Sequence, residues 1–142
     1  MQKITPFLWF DGQAEEAMTF YTSIFRNSKA ASGPNAAFEL DGVEFIAFNG
    51  GPHFKFNEAI SLYVDCKSQE EVDYVWDRLG AGGAPGQCGW LKDKFGVSWQ
   101  IVPDALPRLL KDPDRAKANR VMQAMMKMKK IVVAELEAAA GG

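Results

Sequence analysis

The sequence predicts an α+β fold: two tandem β-α-β-β(-β) modules followed by a C-terminal helical extension. The order strand, helix, then two or more strands occurs twice, as a pattern of hydrophobicity and not as residue identity. Each module has one helix to cover its sheet, so pairing two modules would bury their open faces. After Pro103 only helical patterns follow. We expect a domain over residues 1–103, with modules at about 1–50 and 57–103, and an extension over 104–142.

Composition and charge narrow the class of protein. The chain has 142 residues, 47% of them hydrophobic, and a net charge of -2, so it has no general attraction for nucleic acid or anionic membranes. No apolar run approaches the roughly 18–20 residues of a membrane span, and the N-terminus lacks the apolar core of a signal peptide. Cys66 and Cys88 lack CxxC spacing. We expect a cytoplasmic protein with free thiols and no nucleic-acid or membrane partner.

The first module begins with a strand pattern over residues 4–10. Apolar residues at helical spacing predict a helix over 13–25, and a polar loop fills 27–35. Asp41 and Gly42 then separate two apolar runs, which predicts a hairpin over 37–48.

The second module begins with a strand over residues 59–66. Ser68 is a suitable N-cap for the next helix, and Glu71 completes a capping box. A flexible glycine-rich loop is expected over residues 80–86. The buried stripe of this helix is predicted to be Val72, Val75, Trp76 and Leu79.

The segment 86–103 predicts two strands joined by a turn at residues 93–96. Alternation in its second strand puts Val97, Trp99 and Ile101 on one face and Ser98, Gln100 and Val102 on the other. The polar and aromatic residues expected to line a shared concave surface are Cys88, Trp90, Lys92 and Gln100.

The extension is predicted to hold three helices. A short turn of helix covers residues 104–110, Asp112 caps the next helix with Pro113 at its first position, and a third helix covers 132–140. Such an apolar extension must cover its own sheet or a partner subunit, so we expect a homodimer in which these helices cross between subunits. The apolar face of the middle helix is formed by Val121, Met122, Met125, Met126 and Met128.

The chain resembles the vicinal oxygen chelate (glyoxalase/bleomycin resistance/dioxygenase) superfamily, in its PhnB-like branch, which is also labelled 3-demethylubiquinone 3-methyltransferase-like. The resemblance rests on the order of elements and on residues 8–21, 49–54 and 87–103, and it extends to 112–126. It implies a glyoxalase-like fold. One departure is that only residues 26–36 fill the place of a further strand and long loop, so either this strand is absent or the sequence omits a disordered segment.

The resemblance also implies which residues would bind a divalent metal: two ligand positions on the strands of each module. They correspond to Thr5 or Pro6, to residues 46–48, to residues 59–61 and to Gln100, and only Gln100 is a plausible ligand. One weak neutral ligand does not hold a metal, so we expect no metal and no cofactor.

Three other features have a functional and a structural interpretation. His53 either acts as a general base or fixes its loop by hydrogen bonds, and we favour the second. Cys88 is either a nucleophile or a partly buried cysteine with a structural role, and we favour the structural role. The methyltransferase label would require a strand, a Gly-rich turn and a helix in that order, which neither 49–52 nor 80–86 provides.

The sequence therefore predicts a small-molecule binding domain or a metal-independent enzyme, and whether it is catalytic stays open. One alternative is a lyase or dioxygenase that uses a divalent metal, which the missing ligands argue against. The other is a drug-sequestering protein of the bleomycin-resistance kind, for which the sequence alone indicates no acidic groove. The ligand-binding cup is predicted to be lined by Trp9, Asn49, Tyr63, Cys88, Trp90, Lys92 and Gln100.

Overall fold

The computed structural model describes residues 2–31 and 36–142, which form two units, Met1–Asn57 and Glu58–Gly142. Each unit contains a four-stranded sheet, and the second unit also holds the C-terminal helices. The predicted α+β class is confirmed. Among the described residues, the longest helices have 11 residues and none has the length and apolarity of a membrane span.

The first unit has the strand order β1-β4-β3-β2. β1 runs parallel to β4, and the other neighbours are antiparallel. β1 begins directly after Pro6, and the two-residue turn at Asp41 and Gly42 has φ angles of 48° and 82°, as a hairpin turn of the primed type requires. The elements are β1 (Phe7–Phe10), α1 (Ala14–Ile24), β2 (Lys29–Ala30), β3 (Ala36–Leu40) and β4 (Val43–Asn49).

The second unit repeats this arrangement with the order β5-β8-β7-β6. β5 runs parallel to β8, and the remaining pairs are antiparallel. The predicted duplication is therefore confirmed at the level of topology. Its elements are β5 (Leu62–Cys66), α2 (Gln69–Leu79), β6 (Ala84–Pro85), β7 (Trp90–Lys92) and β8 (Ser98–Pro103).

Two short strands correct the sequence prediction. β2 occupies part of the segment where a strand was expected to be absent or omitted, and it pairs with β3. β6 lies inside the loop expected to be irregular, where it pairs with β7. Each has two residues, too few for a hydrophobicity pattern to show. Residues 32–35, which belong to the same predicted loop as β2, lie outside the described residues.

The start of α2 shows the Ser68 half of the predicted capping box, whereas Glu71 bonds the residue before the N-cap instead of the N-cap itself. The Ser68 hydroxyl accepts from the Glu71 amide at 3.1 Å. The Glu71 carboxylate accepts from the Lys67 amide at 2.6 Å, one residue before the N-cap. The predicted stripe is buried at Val72, Val75 and Leu79, whereas Trp76 is half-buried.

The extension folds as α3 (Ala105–Leu110), α4 (Arg115–Met125) and α5 (Val133–Gly141). Asp114, and not Asp112, caps α4, because its carboxylate accepts from the Lys117 amide at 3.2 Å. Asp112 instead accepts from the Asp114 amide at 2.9 Å, which forms a turn around Pro113. The extension packs against the Val102 end of β8, and the shared cluster consists of Val102, Leu106, Leu109, Val121, Met128, Ile131, Leu136 and Ala140.

Candidate ligand-binding site

Three predicted site residues form a row across the second sheet. Gln100 on the central strand β8 lies opposite Tyr63 on β5 and opposite Trp90 on β7. Cross-strand partners project from the same face of a sheet, so the three side chains are neighbours there. We call this face the 63–100–90 face.

The opposite face of the same sheet is the apolar one. Leu91 and Trp99 are directly paired, only 2% and 3% exposed, and Leu91 reaches Gly80 at the end of α2. Tyr63 is 55% exposed, and Trp90 and Gln100 are half-buried. At the row of Tyr63, Gln100 and Trp90 this face is therefore the less covered side, although Ser98 and Val102 on the same face of β8 are only 2% and 4% exposed.

The structure defines the hydrogen bonding of Gln100 and the protonation state of Tyr63 in this row. The Gln100 amide nitrogen donates to the Ser61 hydroxyl at 2.9 Å. Burial, with smaller contributions from Asp65 and Cys66, raises the pKa of the Tyr63 phenol. Tyr63 therefore stays protonated near neutral pH and offers a hydroxyl donor beside a carboxamide and an indole ring.

A second cross-strand pair, Lys92 and Ser98, lies beside the row on the same face. Lys92 forms an ion pair with Glu58, and the hydrogen bond from this ammonium group lowers the pKa of the Glu58 carboxyl. Ser98 is 2% exposed, and its hydroxyl oxygen has no hydrogen-bond partner among the described residues. The sequence alternation places Ser98 on this face but does not indicate the unpaired hydroxyl.

Cys88 lies in a turn before β7 and not on the strand, so the alternation from which it was placed beside Trp90 does not reach it. Its φ of 60° and the φ of 86° at Gly89 are left-handed, so the strand begins only at Trp90. The Cys88 amide donates to the Met128 carbonyl at 2.8 Å, which ties this turn to the extension. Its thiol is half-buried.

Trp9 and Asn49 lie in the first unit, each with a structural contact. The Trp9 indole nitrogen donates to the Gly51 carbonyl at 2.9 Å, and its ring packs edge-on against Phe48 and Phe54. The Asn49 side-chain oxygen accepts from the Ala14 amide at 2.9 Å. The N-cap residue of α1, Gln13, makes no side-chain hydrogen bond at this helix end. Asn49, on β4, takes over this capping role.

His53 is exposed in the loop after β4. The expected loop-fixing hydrogen bonds of its side chain are not found among residues 2–31 and 36–142. The neighbouring Gly51 is held by Trp9 instead. A side chain at Gly50 would overlap the Trp9 and Phe48 rings, so this loop needs glycine where the chain passes the indole.

The donor set at the positions implied by the resemblance does not fit a divalent metal. Gln100 donates its amide nitrogen to Ser61, which leaves one neutral carboxamide oxygen as a ligand, and the Thr5 hydroxyl, also a weak neutral ligand, donates to the Gln2 carbonyl at 3.1 Å. Of the remaining implied positions, residues 46–48 offer only apolar side chains, and residues 59–61 offer only the Ser61 hydroxyl, which accepts from Gln100. In the described part of the chain, no three His, Cys, Asp or Glu side chains come together as metal ligands. We derive no reaction step through a metal.

A groove of about 300 Å³ in the first unit was not predicted. Glu39 and Glu44 lie directly opposite each other on β3 and β4 and both line it. Lys29 forms an ion pair with Glu39 at 3.8 Å, whereas one buried Glu44 carboxylate oxygen has no partner among the described residues. The two-residue hairpin turn fixes this register, so the pairing of the carboxylates could have been found by counting outward from Asp41 and Gly42.

The comparisons with known proteins agree with this fold. The family model described as 3-demethylubiquinone-9 3-methyltransferase matches residues 2–36 and 29–102. The two matched segments overlap at the place where the sequence departs from the family pattern. The extension from residue 103 onward lies outside the match, although the sequence resemblance had included residues 112–126. No match was found among curated protein sequences.

Solved structures give the same assignment. A PhnB protein from Bacillus cereus is 41% identical over 72% of this chain and 99% of that chain, with a TM-score of 0.67. A Pseudomonas aeruginosa protein is 19% identical, covers 72% of this chain and 98% of that chain, and has a TM-score of 0.59. A glyoxalase/bleomycin resistance protein/dioxygenase domain from Frankia is 18% identical, covers 72% of this chain and 92% of that chain, and has a TM-score of 0.52. The last two similarities concern the fold alone. The chain belongs to the family described as 3-demethylubiquinone-9 3-methyltransferase, the PhnB-like members of the glyoxalase-like fold.

Proposed function

We propose that this chain binds a small organic molecule on the 63–100–90 face, as a binding protein or as a metal-independent enzyme. The observation that carries the proposal is the row of Tyr63, Gln100 and Trp90 across three strands on the less covered side of the sheet. Small-molecule sites combine apolar and aromatic walls with a few placed polar groups. This row supplies an indole ring, a carboxamide and a phenol donor.

Each member of the row has a separate task in this proposal. The Trp90 ring stacks against an apolar or aromatic part of the ligand. Gln100 is oriented by its hydrogen bond to Ser61, so its side chain enters binding with little further loss of rotamer freedom. The protonated Tyr63 hydroxyl donates to a ligand oxygen. Lys92 is neutralised by Glu58 and is not used as a free cation.

The test is ligand-observed NMR of the purified protein with a panel of water-soluble phenols, quinones and aromatic carboxylates. We expect the compounds that bind to lose about fivefold in affinity in Gln100→Ala, since one hydrogen bond is worth about 1 kcal/mol. Tyr63→Ala should weaken the same compounds. Tyr74→Ala is the matched control, because Tyr74 is 40% exposed on the outside of α2. Equal affinities in all variants would refute the proposed site.

A second candidate function is sequestration of a cationic aromatic molecule without turnover. The acidic groove of Glu39 and Glu44 favours it, because among the described residues that line the groove the two opposed carboxylates have Lys29 as their one cation. Saturable quenching of tryptophan fluorescence by a cationic aromatic dye such as ethidium, with recovery of unchanged dye, would support this function. The quenching should be lost in Glu44→Gln. Chemical conversion of the dye, or quenching unaffected by this variant, would contradict it.

We do not propose methyl transfer for this chain, although the family description names it. The stretch 80–86 follows α2 and contains β6, and Gly50 and Gly51 follow β4 in a loop. Neither stretch joins a strand to the N-terminus of a helix, which is the usual arrangement at a bound nucleotide cofactor.

Homodimerisation and a cytoplasmic location complete the proposal. Both cysteines, Cys66 and Cys88, are free thiols, as is usual in a reducing compartment.

A further inference from the structure

We propose that the outer face of α2 and the C-terminal end of α4 form one self-complementary surface to which a second copy of this chain docks. The inference rests on the homodimer proposed above and goes beyond it by naming the surface. We call its two parts the acidic half, on α2, and the basic half, at the end of α4.

The basic half has uncompensated charge. Residues 115–130 contain six Lys and Arg and no Asp or Glu. Four of the six are engaged within the chain: Arg115 and Arg120 bond carbonyl oxygens, Lys117 pairs with Asp112 and Lys130 pairs with Asp73. Lys127 and Lys129 are exposed, and neither ammonium group has an ion-pair partner within the described residues.

The same half carries apolar side chains that its own core does not use. Met122 and Met126, one helical turn apart, are 41% and 56% exposed. The core is instead filled by Val121 and Met128, which are 0% and 8% exposed. The predicted apolar face of this helix is thus divided between an internal part and an open one, and methionine suits an adaptable contact surface.

The acidic half lies on α2. This helix has four acidic residues and one basic residue, and its outer face carries Glu70, Tyr74 and Asp77. Tyr74 is 40% exposed beneath the Arg78 guanidinium, 4.5 Å from the ring centroid. The carboxylates of Glu70 and Asp77 have no ion-pair partner in the described part of the chain.

The two halves are neighbours in one unit. Lys130 pairs with Asp73 at 2.9 Å, and the Gln69 amide nitrogen donates to the Ile131 carbonyl at 3.0 Å. The Gln69 side-chain oxygen also accepts from the Val133 amide at 2.7 Å. A twofold axis that passes between the two halves places the basic half of each copy against the acidic half of the other, so the dimer has two equivalent contacts. The acidic half would repel an anionic membrane, so charge complementarity favours a second copy.

Sedimentation velocity with charge-reversed chains tests the proposal. We expect the wild type to be a dimer at micromolar concentration. Glu70→Lys combined with Asp77→Lys, and separately Lys127→Glu combined with Lys129→Glu, should each dissociate to monomers. An equimolar mixture of these two variants should again form dimers, because both contacts become attractive in the mixed pair.

Apolar substitutions test the same surface independently of charge. Met122→Gln combined with Met126→Gln should raise the dimer dissociation constant at least tenfold. Val43→Gln is the control, since Val43 is 47% exposed in the first unit. Circular dichroism and thermal unfolding establish that each variant is folded.

Three outcomes would overturn the proposal. A monomeric wild type would overturn both the surface and the homodimer. Charge-reversed variants that remain dimers would overturn the surface and leave the homodimer in place. A monomer that sediments with phosphatidylserine vesicles, and loses this in the Lys127→Glu, Lys129→Glu variant, would assign the basic half to a membrane. None of these outcomes bears on ligand binding at the 63–100–90 face.

Discussion

Replacing Ser98 by alanine should stabilise this protein, which is the unusual direction for a buried position. Ser98 is 2% exposed, and its hydroxyl oxygen has no hydrogen-bond partner in the described part of the chain. A buried polar group without a partner costs about 1–3 kcal/mol. Alanine removes that cost and leaves a void of one oxygen atom, which costs a few tenths of a kcal/mol.

The expected net gain is about 1 kcal/mol, which raises the melting temperature by roughly 2–4 °C in a chain of this length. Urea unfolding followed by far-UV circular dichroism measures it as a shift of the midpoint at unchanged slope. Ser68→Ala is the matched control, because the Ser68 hydroxyl accepts from Glu71 at 3.1 Å and caps α2. This variant should lose about 1 kcal/mol.

The two serine variants should therefore shift the midpoint in opposite directions. A loss in Ser98→Ala comparable to that in Ser68→Ala would refute the reasoning, because it would mean that the Ser98 hydroxyl is satisfied. Both variants remove one hydroxyl group, but Ser98 is buried without a partner whereas Ser68 is exposed and accepts a hydrogen bond.

Three further predictions concern other groups. The Asp93 carboxylate accepts from the Phe95 and Val97 amides and from the Trp99 indole nitrogen. Asp93→Asn sets a donor against these donors, so we expect a loss of about 2–3 kcal/mol in urea unfolding, and an unchanged midpoint would contradict this. Burial, followed by the charges of Glu71 and Asp65, raises the pKa of the Cys66 thiol from 9.0 to about 12. Only the unfolded chain ionises this thiol between these values, so the contribution of Cys66 to stability should be flat below pH 9 and fall by about 1.4 kcal/mol per pH unit above it. The difference in stability between the wild type and Cys66→Ala should therefore shrink with this slope above pH 9. Finally, protein purified without chelators should take up no stoichiometric Zn, Mn or Ni in titrations, and one ion bound tightly per subunit would contradict the metal-independent proposal.

Local rules predicted the elements whose determinants are adjacent in sequence. Asp41 and Gly42 fix a two-residue turn whose backbone few other residue pairs adopt, and the Ser68 cap acts over three residues. The alternation of β8 likewise places Gln100 and Trp99 on opposite faces. The shared face of Trp90 and Gln100 therefore followed from the pattern, whereas the pairing of Gln100 with Tyr63 depends on a strand that is distant in sequence.

Other features depend on contacts distant in sequence. Asp112 and Asp114 both satisfy the local rule for a helix cap, and the sequence pattern does not distinguish them, whereas in the structure Asp114 caps α4 and Asp112 closes the preceding turn. The turn at Cys88 depends on its neighbour Gly89, where a Cβ would lie 2.8 Å from the Ile131 side chain and 2.9 Å from the Ile101 carbonyl. Asn49 acquires its capping role only when β4 lies beside the start of α1. No window of local sequence contains these partners.

The connection between α4 and α5 bears on the order in which the chain folds during synthesis. The Cys88 and Gly89 amides donate to the Met128 and Lys129 carbonyls, both at 2.8 Å. On the ribosome, the turn before β7 therefore waits for partners translated about forty residues later. In the first unit, by contrast, the hydrogen bonds from Gln2 to Glu44, from Gly50 to Phe10 and from Trp9 to Gly51 are complete once residue 51 has been translated. Since chains fold from the N-terminus as they emerge, the first sheet can form early and the second is completed only when the extension has left the exit tunnel.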